Sequence, residues 1–157
     1  MMEVLFTKTG SNEDVLSCKR KDGTVTWMHA SNFFILHDLC HYTIETTLSL
    51  KKAFFGMLAN GTDITEFALP KEQRPFDLTS EALFAEHLVN LVVIDYTQGR
   101  MTSLIEIFTE TYNDAGSGLI NLINEEKLEN IRLNFASLVQ QWQSIREGES
   151  LNLIFEE

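Results

Sequence analysis

The C-terminal stretch SLNLIF, residues 150–155, decides the fold class of this chain. Leu151, Leu153 and Phe155 fall at every second position of this stretch, which is the period of a strand with one buried face. A single terminal strand needs a sheet to join. The other strand patterns lie near the N-terminus, so we predict that both ends of the chain meet in one small antiparallel sheet.

Three N-terminal segments have the composition of strands. They are rich in Val, Thr, Phe and Trp, which favour strands. In chain order they are EVLFTKT (3–9), DVLSCKR (14–20) and TVTWMHA (24–30). Asp22 and Gly23 lie between the last two, and glycine accepts the positive φ that a tight hairpin turn requires. These segments predict two or three antiparallel strands.

The chain between these two ends has helical periodicity. Helices are predicted over residues 32–50, 51–59, 80–98, 101–112 and 124–145. Both prolines fall within residues 62–78, which predicts a surface loop there. The patterns predict an α+β fold in which a small antiparallel sheet packs against a layer of three to five helices. With 44% apolar composition, residues 1–157 are expected to form a single globular domain.

The net charge of the chain is strongly negative. With 12 basic and 23 acidic residues the formal charge is −11, which argues against a nucleic-acid partner because clustered Lys and Arg bind phosphates. No apolar run approaches the ~20 residues of a membrane helix, and the N-terminus lacks a signal-peptide pattern. We therefore expect a cytoplasmic protein that binds a small molecule or another protein, with Cys18 and Cys40 as free thiols.

The stretch HDLCHYTIETTL, residues 37–48, contains the most specific candidate site. His37 and His41 are one helical turn apart with Asp38 between them. This spacing is similar to the H-E-x-x-H of zinc proteases, in which two histidines hold the metal and the acid activates water. The pattern predicts a zinc-like divalent metal bound by His37 and His41, with Asp38 or Glu45 as the general base.

A metal site of this kind needs a third ligand, and the sequence offers Glu45, Glu86 and His87. At about 100° per residue, His87 lies on the same side of its helix as several apolar residues, so this side is predicted to face the core. Those apolar residues are Leu83, Phe84, Leu91 and Ile94. His37, His41 and His87 are therefore predicted to lie in one neighbourhood and to supply the metal ligands.

A noncatalytic interpretation of the same residues stays open. His41 and Glu45 are spaced i,i+4 and would form a hydrogen-bonded contact along the helix. His37 and His87 would then hydrogen-bond each other, a backbone carbonyl or water. On this interpretation the chain is an acidic interaction or structural protein with a buried histidine–carboxylate cluster. An open cleft beside the acids would favour catalysis, whereas close packing would favour the structural role.

Two segments of the chain resemble a group of uncharacterised bacterial proteins. They are HDLCHYTIETTLSLKKAFFGMLANG (37–61) and QQWQSIREGESLNLIFE (140–156). The proteins of this group carry a helix of the form His-Asp-Leu-x-His-aromatic-x-x-Glu, then an apolar segment containing Gly, and a Trp, Gly, Ser, Leu ending. The motifs cover roughly a third of the chain. The resemblance implies a bacterial origin and no particular activity.

Overall fold

Four antiparallel strands form a sheet to which both ends of the chain contribute. In the computed structural model, which describes residues 1–157, they are β1 (Met2–Thr7), β2 (Asp14–Lys19), β3 (Val25–Ala30) and β4 (Ser150–Phe155). Their order in the sheet is β3-β2-β1-β4. Strand β4 pairs with β1 from Met2↔Phe155 to Thr7↔Ser150. The predicted meeting of the two chain ends is confirmed.

One face of this sheet is apolar because side chains alternate along each strand. Val4 of β1 lies opposite Cys18 of β2, and Phe6 lies opposite Leu16. All four side chains are fully buried. The sheet therefore presents a continuous apolar face for the helices to cover.

Five α-helices form the rest of the fold, which confirms the α+β prediction. They are α1 (Asn32–Thr47), α2 (Phe54–Ala59), α3 (Ser80–Gln98), α4 (Leu104–Thr111) and α5 (Glu125–Ser144). Short 3₁₀ turns cover Ile64–Ala68 and Lys71–Gln73 within the predicted proline loop, and Leu119–Leu122 before α5. At the start of α3, the side chain of Thr79 accepts a hydrogen bond from the backbone N–H of Ala82, as an N-cap does.

Helix α1 joins the sheet to the other helices. It contacts α2, α3 and α5 and also strands β2 and β3. Tyr42 of α1 donates a hydrogen bond to the backbone carbonyl of Ile154 in β4 at 2.7 Å. One hydrophobic cluster of 32 buried residues extends through the sheet and the helices. Polar side chains on the buried part of α1 therefore need partners within the fold.

The face of α3 that meets the core overlaps only in part with the predicted one. Phe84 is fully buried as predicted, as is Val89, whereas Leu83 and Ile94 are 53% and 42% exposed. The prediction was wrong for Leu83 and Ile94 because α3 is apolar around most of its circumference, so periodicity alone does not select one face. His87 consequently lies at a half-buried edge of the helix.

The two cysteines agree with the prediction of free thiols. Cys18 and Cys40 are buried free thiols. Burial raises the pKa of the Cys18 thiol to about 12, so it stays protonated and unreactive at neutral pH. No helix combines the length and the hydropathy that crossing a membrane requires.

Candidate metal centre

Two histidines of α1 and one glutamate of α3 bring their polar atoms together. His37 and His41 are one turn apart, and their ring centres are separated by 5.0 Å. The Oε1 atom of Glu86 lies 3.3 Å from His37 Nε2, and its Oε2 atom lies 2.7 Å from His41 Nε2. One ligand atom from each of the three residues lies within 4.8 Å of the other two. We call His37, His41 and Glu86 the cluster.

A fully buried carboxylate lies behind His41. The Oε2 atom of Glu45 is 3.2 Å from His41 Nδ1, and its Oε1 atom accepts a hydrogen bond from the backbone N–H of Phe55 at 2.9 Å. Burial raises the pKa of Glu45, while hydrogen bonds from His41 and from the amides of Phe55 and Gly56 oppose that rise. Glu45 fixes the orientation of the His41 ring, as carboxylates behind metal-binding histidines do.

A close backbone contact positions the amides that hold Glu45. Gly56 lies so near the segment before α2 that a Cβ atom there would be 2.1 Å from the carbonyl oxygen of Lys51. Only glycine permits this approach, because any side chain would overlap the carbonyl group. Gly56 therefore supports the cluster indirectly, because it positions the amides that hold Glu45, and Glu45 holds the His41 ring.

Burial and mutual contacts set the charges of the cluster. Burial lowers the pKa of His41, but hydrogen bonds to Glu45 and Glu86 outweigh this effect and raise the pKa to about 10. Burial acts to raise the pKa of Glu86, but hydrogen bonds from His37 and His41 hold it well below its usual range. In the absence of a metal, His41 is therefore an imidazolium at neutral pH.

The cluster lies in the wall of a cavity of ≈ 630 Å³. Strand β3, the first half of α1, the loop of residues 62–78 and the start of α3 enclose this cavity. Asp38 also lines it. Burial raises the pKa of Asp38 to about 6, and the neighbouring His41 and His37 oppose that rise. The Asp38 carboxyl group, with this raised pKa, lies beside the cluster.

The structure gives the residues predicted on α1 different positions. His37 and His41 belong to the cluster, and Asp38 lines the cavity beside them. Glu45, which the sequence offers as a general base or a ligand, is 0% exposed and does not line the cavity. Its contact with His41 Nδ1 makes it a positioning residue, since a carboxylate without access to the cavity cannot take a proton from a substrate there.

His87 lies outside the cluster, which corrects its predicted position beside His37 and His41. Its Nε2 atom is 2.7 Å from the hydroxyl oxygen of Thr111, and its ring packs against Phe108 of α4 at 5.4 Å between centroids. Neighbouring residues on a helix point about 100° apart. The rotation of α3 about its axis that places Glu86 against α1 therefore directs His87 towards α4. The sequence offered both residues as ligands but gave no signal for choosing between them.

The donor atoms of the cluster suit a divalent metal such as zinc. Zinc binds histidine nitrogen and carboxylate oxygen at about 2.0–2.2 Å in tetrahedral geometry, which places ligand atoms about 3.3 Å apart. One ligand atom from each cluster residue lies within 4.8 Å of the other two, so small side-chain movements would bring the three atoms to this spacing. Two histidines and one glutamate form a donor set of catalytic zinc sites, in which a fourth position stays open.

Comparison with known proteins adds no relative to this description. No protein-family model, curated protein or solved structure matches the chain. The chemistry of the cluster is therefore inferred from its own atoms: two imidazole nitrogens and a carboxylate that can hold a metal, a buried carboxylate that orients one imidazole, and an acid beside them in an open cavity.

Proposed function

We propose that this chain is a small metal-dependent hydrolase in which His37, His41 and Glu86 hold a zinc-like divalent ion. The observation that carries the proposal is the convergence of two imidazoles and one carboxylate at the wall of a ≈ 630 Å³ cavity. The buried Glu45 behind His41 supports it further, because metal-binding histidines almost always donate their second N–H to such a partner.

The residues around the ion have separate roles in this proposal. A divalent ion would polarise the bond to be cleaved and lower the pKa of water. Asp38 is the general base, since it lines the cavity and its pKa of about 6 lies near the working pH of an effective base. Glu45 is a positioning residue that holds the His41 ring. The cavity volume suits a small-molecule substrate.

A second candidate function is the noncatalytic one, and a specific observation favours it. No buried side-chain nitrogen or oxygen lacks a hydrogen-bond partner, so the cluster is satisfied as a set of histidine–glutamate contacts without an ion. The open cavity beside the acids favours the hydrolase, because a purely structural cluster would be closed by packing. The hydrolase requires both zinc binding and zinc-dependent turnover of a substrate, whereas the noncatalytic candidate requires neither.

Metal binding is tested on protein purified without an affinity tag. Elemental analysis identifies any metal that purifies with the chain, and titration calorimetry measures zinc binding after treatment with a chelator. We expect one zinc per chain, with affinity reduced at least about 100-fold in His37→Ala and in Glu86→Gln because each removes a direct ligand. His87→Ala is the matched control and keeps the affinity of the wild type. Zinc binding unchanged by the first two substitutions would overturn the proposed ligand set.

Hydrolysis is tested separately from metal binding. The zinc-loaded and chelator-treated proteins are assayed against a panel of small chromogenic esters, amides and phosphoesters. We expect zinc-dependent turnover of one class, with kcat lowered about 10²- to 10⁴-fold in Asp38→Asn, as for loss of a general base, and zinc affinity unchanged. A chain that binds zinc but hydrolyses none of these classes would favour the noncatalytic candidate.

The resemblance to uncharacterised bacterial proteins stays a prediction. The structure of this chain offers a physical reason for the residues of the shared motif. His37, His41 and Glu45 occupy the two histidine positions and the final glutamate position of the His-Asp-Leu-x-His-aromatic-x-x-Glu helix. In this chain these are two cluster residues and the carboxylate that orients one of them. We propose that the motif marks the same arrangement wherever it occurs.

A further inference from the structure

The lining of the cavity limits the substrates that the proposed hydrolase can accept. Nine of its 17 lining residues are hydrophobic, so most of a bound molecule would contact apolar side chains. The aromatic residues among them are Phe34, Phe54 and Phe67. Phe54 packs against His41 of the cluster and against Phe67 of the loop, with ring centres 5.3 and 4.9 Å apart. An apolar wall therefore extends from the cluster to the loop of residues 62–78.

Arg74 of this loop is the one Lys or Arg side chain that lines the cavity. Its Nε atom donates to the backbone carbonyl of Leu69 and its Nη2 atom to that of Phe67, both at 3.0 Å. These two bonds fix the plane of the guanidinium group. The Nη1 atom has no partner in the chain, and no carboxylate lies within ion-pair distance of Arg74. By contrast, Arg100 and Arg132 are each paired with an acid.

The distribution of charge in the cavity leaves Arg74 available for an anion. Three carboxyl groups line the same cavity, but Glu13 is exposed, Glu86 contacts both histidines of the cluster, and Asp38 lies beside the same histidines. The histidines therefore offset the charges of Asp38 and Glu86 in the metal-free chain, as a metal would in the loaded one. A fixed guanidinium group with free N–H donors matches a carboxylate closely. A single guanidinium balances one negative charge, which favours a monoanionic carboxylate over a dianionic phosphate.

We propose that the substrate is a small apolar molecule carrying one carboxylate, and that Arg74 is the specificity-determining residue that binds this group. The inference rests on the proposed function, because it assigns the other end of the same molecule to the cluster. The apolar body would lie against Phe54 and Phe67, between the carboxylate at Arg74 and the cleavable bond at the cluster. The expected substrates are thus carboxylate-bearing esters or amides with an aromatic or aliphatic body.

Three matched probes test the proposal: 4-phenylbutyrate, its neutral amide 4-phenylbutyramide, and the cationic 4-phenylbutylamine. Binding is measured by ligand-observed NMR with the chelator-treated chain and with the zinc-loaded chain. In the chelator-treated chain no metal competes with Arg74 for the carboxylate. We expect the carboxylate to bind about tenfold or more tightly than the amide in both states, as a charge-assisted hydrogen bond should provide.

Variants of Arg74 separate loss of charge from loss of structure. Arg74→Gln should abolish the preference for the carboxylate while the amide still binds, which shows that the cavity is intact. Arg74→Lys should restore part of the preference, because lysine keeps the charge but not the planar fork. Arg146→Gln is the matched control, since Arg146 is exposed and does not line the cavity. A preference for the carboxylate that survives Arg74→Gln would overturn the proposal.

The remaining outcomes distinguish this inference from the proposed function. Equal binding of the carboxylate and the amide, tighter binding of the amine, or no binding of any probe at millimolar concentration would overturn the substrate class. A preference seen only with zinc and unchanged in Arg74→Gln would make the metal the anion-binding group and leave the hydrolase proposal standing. An Arg74-dependent preference in a chain that binds no zinc would support the anion site and overturn the proposed function.

Discussion

The Nδ1 atom of His41 lies 3.2 Å from the Oε2 atom of Glu45, one turn further along α1, and both side chains are buried. His41 is an imidazolium in the metal-free chain, so its Nδ1 carries a proton and donates the hydrogen bond to Glu45. The Nε2 atom is then the one that is directed at Glu86. This single contact decides which nitrogen of His41 is available for a metal.

Glu45→Gln should therefore weaken zinc binding although Glu45 touches no metal. The NH₂ group of the glutamine side chain can face the backbone N–H of Phe55, so that two donors meet. The substitution also removes the negative charge that favours a proton on Nδ1 of His41. We expect zinc affinity to fall about 10- to 100-fold, as for other substitutions behind metal ligands, measured by competition with a chelator. Glu106→Gln, at an exposed position on α4, is the control. Equal affinity in the two variants would exclude an orienting role for Glu45.

The metal-free chain should lose stability as pH rises above neutrality. The pKa of His41 is about 10 in the folded chain and about 6.5 when unfolded. The stabilisation that His41 contributes is thus fully present below pH ~6.5 and lost as pH rises through the folded pKa. The pKa of Asp38 is about 6 in the folded chain and about 3.9 when unfolded, so Asp38 adds a further loss of stability with rising pH, at lower pH values. Thermal unfolding with chelator, from pH 5 to 8.5, should show a falling Tm, whereas a rising Tm would contradict the His41 contacts.

Zinc should reverse this pH dependence. Binding displaces a proton from His41, so zinc affinity and the gain in Tm should both grow between pH 6 and 8.5. At a free zinc concentration 100 times the Kd the gain is about 2.7 kcal/mol, or roughly 5 to 10 °C in Tm for a chain of this size. Calorimetry in two buffers with different ionisation enthalpies should detect release of about one proton per zinc. A zinc effect independent of pH would mean that His41 is not a ligand.

Gly56→Ala should destabilise the fold and the site together. The added Cβ atom would lie 2.1 Å from the Lys51 carbonyl oxygen, and the backbone shift that relieves this overlap moves the amides that hold Glu45. We expect a loss of at least about 3 kcal/mol, at the upper end for an overpacked site, measured by urea unfolding. Gly23→Ala is a matched control with φ of +88° and nothing near the new Cβ, and it should cost about 1–2 kcal/mol from backbone strain alone.

The ion pair between Arg132 and Asp95 should contribute more to the free energy of unfolding than the exposed pair between Arg100 and Glu129. Arg132 binds Asp95 through Nε and Nη2 at 3.0 and 2.8 Å, and both side chains are largely buried. Arg132→Met leaves the Asp95 charge without its partner and should cost about 3–5 kcal/mol. Arg100→Met, which removes the exposed contact with Glu129, should cost much less, because solvent and salt screen an exposed ion pair. Similar losses in the two variants would show that burial of Asp95 is unimportant.

The Arg132–Asp95 contact also predicts a specific response to acid. Burial acts to raise the pKa of Asp95, but hydrogen bonds from Arg132 and the Met101 amide outweigh this effect and lower it. Its contribution is therefore present above the unfolded pKa, about 3.9, and is lost as pH falls through the lower folded pKa. Urea unfolding of Arg132→Met should accordingly show a weaker loss of stability below pH 4 than the wild type.

The sequence by itself determined the elements of the fold and the residues offered by α1. Alternation in residues 150–155 required a sheet, and the partners at the N-terminus were the available ones. The start of α3 at Ser80 and the turn at Gly23 follow from local capping and turn chemistry, which depend on neighbouring residues only. His37, His41 and Glu45 share one helix, so their spacing alone placed them within reach of one another.

Only the tertiary structure decided which residues complete the site. Whether Glu86 or His87 meets α1 depends on the rotation of α3, and a helix that is apolar on most sides does not encode that rotation in its periodicity. Packing of α3 against both α1 and α4 selects it. The amides at Phe55 and Gly56 that hold Glu45, and the position of Arg74 in the cavity, likewise arise from contacts between segments distant in the chain. Such contacts leave no local pattern, because the free energy that fixes them comes from packing the whole core.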